Sequence, residues 1–125
     1  MDDSKINYIH KDLAAGRWFE LSLPEQLGNV GSEVGRATRY HRDGQLERRN
    51  RALDRALELL DLTISDLRWR GPRLQEICRA REVLADTFFG DNQYHDSPEA
   101  LEKYFSHFAI LARRNRWHKD IAKEI

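Results

Sequence analysis

Four successive stretches of this chain place apolar residues three and four positions apart, and none alternates with a period of two. That rhythm puts apolar side chains on one stripe of a helix and leaves a strand with no face to bury. The first long stripe runs Leu23, Leu27, Val30, Val34 and Ala37, and the second Leu53, Leu57, Leu60, Ile64 and Leu67. The third carries Leu74, Ile77, Leu84 and Phe88, and the fourth Leu101, Phe105, Phe108, Leu111 and Ala112. The expected fold class is therefore all-α, an antiparallel up-down-up-down four-helix bundle.

Punctuation sets the boundaries. Ser22 followed three residues later by Glu25 is a capping box, with Pro24 tolerated in the first turn. Asp43-Gly44 ends that helix, Gly71-Pro72 turns the chain into the third, Gly90 closes it and Ser97-Pro98 opens the fourth. The predicted long helices are about 22–42, 45–67, 72–89 and 98–124. A short amino-terminal helix is predicted over about 3–15, with Ile6, Ile9 and Leu13 on one face and Gly16 as its stop. At 125 residues these elements fit a single domain over 1–125 that buries a real core.

Composition limits the function classes. Twenty-one basic and twenty-one acidic residues give zero formal net charge, so no global field drives the protein onto nucleic acid or an anionic membrane. The single Cys78 cannot form an internal disulfide, and core packing suits it better than nucleophilic chemistry. With no secretory signal and no apolar run of membrane-spanning length, a cytoplasmic protein without membrane contact is expected.

Charge and aromatic residues are nevertheless unevenly placed. Each of three tryptophans sits beside arginine: Arg17-Trp18, Arg68-Trp69-Arg70 and Arg116-Trp117. An up-down bundle gathers these at one pole with Arg73, Arg113, Arg114 and Lys119. Trp and Arg together suit base stacking and binding hot spots, and they equally suit an apolar lid with snorkelling arginines. These eleven residues are the candidate nucleic-acid or partner surface. The opposite pole pairs the acidic stretch 82–102 with Arg36, Arg39, Arg42, Arg48, Arg49 and Arg51, where opposite charges are expected to offset.

The fourth helix is too long for its neighbours, spanning roughly 40 Å against about 27 Å for the third at 1.5 Å per residue. Its end, bearing Trp117, Ile121 and Ile125, is expected to pack on the amino-terminal helix or on another subunit of a homo-oligomer. Gly28, Gly31 and Gly35 inside the first long helix each cost about 1 kcal/mol relative to alanine, which a close helix crossing offsets.

Enzyme readings are weaker. Glu33 with the Glu58-x-x-Asp61 pair could cluster carboxylates for a hard cation. That spacing resembles the MazG-type all-α nucleotide pyrophosphatases, whose Glu-x-x-Glu is broken here by Arg36. Pairing of these acids with Arg55, Arg79 or Arg81 is the competing reading. Arg36 to His41 and Arg113 to His118 match the Arg-x4-His spacing of HEPN ribonucleases. The histidines show no metal-ligand spacing and there is no phosphate-binding glycine loop, so the expectation is a non-enzyme without cofactor.

The stretch 21–37, LSLPEQLGNVGSEVGRA, followed by RALELLDLTI (55–64), resembles a small bacterial family of unknown function. More distantly it is similar to the four-helix proteins of 23S rRNA intervening sequences and the accessory proteins of diversity-generating retroelements. That resemblance covers about residues 20–67. It implies a homo-oligomeric barrel of bundles that binds RNA, single-stranded DNA or a nucleic-acid enzyme such as a reverse transcriptase. The chain departs from that family in its neutral charge and in lacking a Ser-x-Pro pattern. A purely protein–protein scaffold is the alternative.

Overall fold

The computed structural model describes residues 8–124, which are all-α, with no strand among them. The elements are α1 (Lys11–Ala14), a 3-10 turn (Arg17–Glu20), α2 (Leu23–Arg42), α3 (Leu46–Ser65), α4 (Pro72–Phe89) and α5 (Pro98–Glu124). The capping box forms as its residues dictate: the Ser22 hydroxyl accepts the Glu25 amide and the Glu25 carboxylate accepts the Ser22 amide.

α2 is the central element, packed on α3 along one side and α5 along the other. Contacts with α5 descend one helix as they climb the other. Gly28 lies against Ala109, Gly31 against Phe105 and Gly35 against Glu102, and the Thr38 hydroxyl reaches the Pro98 carbonyl at 3.4 Å. The glycines permit this closeness, because a Cβ on Gly31 would stand 2.9 Å from the Cβ of Phe105. α4 docks mainly on α3 through Ile77, Ala80, Val83, Leu84 and Phe88. One contiguous apolar cluster joins the 3-10 turn to all four long helices.

Several sequence expectations shift. In place of a helix over about 3–15, the described part of the amino terminus holds only the four-residue α1 and then the 3-10 turn. Ile9 is exposed and Ile6 lies outside the described residues. Leu67, expected on the second stripe, is 78% exposed because α3 ends at Ser65 and Asp66 turns the backbone to extended geometry. Leu111 is exposed too, although α5 still lies along α2 there; among the described residues after it, only Ala112 is buried and Ile121 half-buried. Among the described residues no helix is long and apolar enough to cross a membrane.

Candidate functional site

The tryptophan pole is organised by a polar side chain on an apolar stripe. Gln26, fully buried in the first turns of α2, donates from Nε2 to the Trp18 carbonyl and to Asp66 Oδ2, both at 3.0 Å. Its Oε1 accepts the indole N–H of Trp69 at 2.8 Å. Asp66, itself 4% exposed, also receives the Arg68 guanidinium at 2.7 Å and the Arg68 amide at 3.1 Å. The guanidinium continues to the Leu21 carbonyl at 2.6 Å and lies 4.5 Å from the centroid of the Trp69 ring. Arg68 holds the Asp66 carboxyl below its usual range, helped by Gln26 and the Arg68 amide against the opposing effect of burial. In return Asp66 pushes the Arg68 guanidinium up.

This network engages three of the candidates, and of these Trp18 alone is buried. Trp18 is interior: its ring is 1% exposed and its N–H donates to the Thr63 hydroxyl at 3.0 Å. A side chain so enclosed offers no face to a base. Trp69 spends its N–H on Gln26, and the guanidinium of Arg68 lies over its ring. Arg68 has its charge taken by a buried carboxylate. No buried side-chain nitrogen or oxygen among the described residues lacks a partner, so this end of the core is closed.

The rest of the expected surface divides. Arg116 pairs with Glu25 at 3.3 Å, which brings α5 over the start of α2, and Arg70 donates to the Leu67 carbonyl at 3.0 Å. Arg17 and Arg73 are exposed. Arg113, Arg114 and Lys119 are exposed with no ion-pair partner among the described residues. Trp117 is 61% exposed, its ring edge-on to His118 at 5.4 Å. Two shallow grooves run between α2 and α5 here. One, of about 290 Å³, is lined by Leu21, Glu25, Asn29 and Arg113, and the other, of about 380 Å³, by Ser22, Asn115, His118 and Lys119.

The carboxylate trio does not assemble. Glu33 is held by Arg36 and Arg55, each at 3.0 Å. Glu58 accepts the Ile9 amide at 3.0 Å and His10 Nδ1 lies 3.2 Å away, while Asp61 is paired with Arg81 at 2.6 Å. Each acid thus serves a different structural tie, and among the described residues no group of three or more His, Cys, Asp or Glu is placed to hold a metal ion. His41 packs on Phe88 and contacts Arg49, while Arg36 engages Glu33, so the first Arg-x4-His pair is not joined.

Sequence reasoning missed Gln26 and Asp66. The available signal was a glutamine beside Leu27 at the start of a stripe, where a polar side chain has to find partners. Compared with protein-family models, curated proteins and solved structures, the chain matches none. The family resemblance therefore rests on the residues quoted for it.

Proposed function

We propose that this chain is a non-enzymatic bundle of four long helices, running up-down-up-down, that self-associates through the overrunning end of α5. We further propose that the arginines of that end hold RNA or single-stranded DNA weakly. One observation carries the reading: α5 continues beyond its neighbours with Trp117 exposed near Arg113, Arg114 and Lys119, which have no ion-pair partner among the described residues. At about 100° per residue, Ile110, Trp117 and Ile121 recur on one side of α5, opposite Leu101, Phe105 and Ala112 in the core. A stripe of that kind, spaced seven and four, suits a second helix and leaves Arg113 and Arg114 flanking it.

The internal engagement of Arg68 and Arg116 favours a second reading, a protein–protein scaffold with no nucleic acid. One experiment separates the two. Sedimentation of the full chain is compared with that of a chain ending at Asn115, alongside anisotropy titration of a labelled RNA at low salt. A fall in assembly mass on truncation supports the α5 contact, and a monomeric full chain at micromolar concentration overturns it. An assembled chain that leaves the RNA unbound, with helicity intact, selects the scaffold.

A further inference from the structure

The end of the bundle away from the tryptophans carries two lobes of opposite charge. Residues 36–51, the end of α2 and the start of α3, hold Arg36, Arg39, Arg42, Arg48, Arg49 and Arg51 against only Asp43 and Glu47. Residues 82–102, the end of α4, its loop and the start of α5, hold Glu82, Asp86, Asp91, Asp96, Glu99 and Glu102 with no Lys or Arg. The lobes are neighbours: the His41 and Phe88 rings meet edge-on at 5.7 Å.

The expected internal offset nevertheless does not form. One ion pair joins the lobes among the described residues, Arg42 to Glu99, at 3.9 Å and with both side chains more than 60% exposed. Arg36 turns to Glu33 within its own helix, and Arg48 and Arg49 reach only Gln45, Asn50 and His41. In the acidic lobe Asp86 is spent on the amides of Gln93 and Tyr94, and Asp96 on that of Ser97. Each lobe also shows apolar surface to solvent: Leu46 on the basic one, Phe89 and Tyr94 on the acidic one.

We infer that this end is a self-complementary docking surface for a second copy of the chain, each copy's basic lobe on the other's acidic lobe. A two-fold contact uses the same patch on both partners, so side-by-side lobes of opposite sign are satisfied twice by one operation. Leu46 then meets Phe89 and Tyr94 within a rim of opposite charges, and that electrostatic match sets register and partner choice. The contact is separate from the α5 arm, which lies at the other end.

Charge exchange tests it in the full chain carrying Trp117→Glu, which silences the arm. Arg39→Glu, Arg48→Glu and Arg51→Glu take the basic lobe from a net charge of +4 to −2, and Glu82→Lys, Asp91→Lys and Glu99→Lys bring the acidic lobe from −6 to zero. All six side chains are exposed and outside the core. By light scattering at low salt, the Trp117→Glu chain is expected at twice the monomer mass. In 1 M salt, where screening acts within about 3 Å, it falls to the monomer. Each reversed variant alone is expected as a monomer, and their equimolar mixture returns to the doubled mass. Recovery in the mixture also shows both variants folded. A mixture that stays monomeric with helicity intact, or a mass that ignores the reversals, overturns the inference. So does a basic-lobe reversal that changes RNA binding and leaves the mass alone. Failure of the α5 reading is distinct, since Trp117→Glu then leaves the mass of the wild-type chain unchanged.

Discussion

Two tryptophans beside arginine meet opposite fates in this molecule. Trp18 sits on a 3-10 turn that folds its ring beneath α2 and α3, whereas Trp117 lies on helix that has left the bundle behind. Trp18→Ala is therefore expected to cost about 3–5 kcal/mol as an unfilled core site, read from urea unfolding. Trp69→Phe keeps the ring but strands the buried Gln26 Oε1, at a cost of about 1–3 kcal/mol. Asp66 adds a pH dependence whose sign follows from its lowered pKa. The stability it contributes is full above the ordinary aspartate value of 3.8 and is lost as pH falls through the depressed folded value. The wild-type urea midpoint should thus drop more steeply below about pH 4 than that of Asp66→Asn. Parallel slopes for the two proteins would remove Asp66 from the account.

The seam between α2 and α5 ranks its glycines by what each faces. At Gly31 a methyl group meets the Phe105 Cβ at 2.9 Å and its backbone carbon at 3.2 Å, neither of which can swing away. At Gly35 the nearest atom is the carboxylate tip of Glu102 at 3.2 Å, the end of a flexible side chain. Gly31→Ala should accordingly destabilise by about 1–3 kcal/mol through overpacking. Gly35→Ala should gain up to about 1 kcal/mol of helix propensity. Thermal melts of the two variants moving in the same direction would contradict this ranking. The helical class, the Ser22–Glu25 box and the small-residue seam were legible because each is a local pattern with a local cause. Leu67 was misread because periodicity says where a stripe points and not where its helix stops. The Gln26–Asp66–Arg68 network was illegible for a related reason: forty residues separate Gln26 from Asp66, and only the packed helices bring them together. The partners of Glu33, Glu58 and Asp61 were illegible for the same reason, each acid meeting a group remote in sequence.

At the scale of the whole molecule, zero net charge conceals a division of labour among the arginines. Arg55, Arg68, Arg81 and Arg116 tie the chain to itself, while Arg113, Arg114 and Lys119 on the overrunning part of α5 have no ion-pair partner among the described residues. Of these two groups the second has charge left for a polyanion, which makes the proposed nucleic-acid contact at α5 countable. Single-stranded nucleic acid gives a log–log salt slope near −0.7 per neutralised phosphate, so three contacts predict a slope of about −2. Removing two of them with Arg113→Gln and Arg114→Gln should bring it to about −0.7, with affinity falling alike for every sequence, since phosphate contacts read no bases. Arg68→Gln should leave the slope unchanged and lower stability instead, because its partner is the buried Asp66 and not solvent. An anisotropy titration across salt concentrations measures both variants. If Arg68→Gln shifts the slope as much as the α5 pair does, the binding surface lies at the Gln26 hub and the division of arginines argued above is wrong.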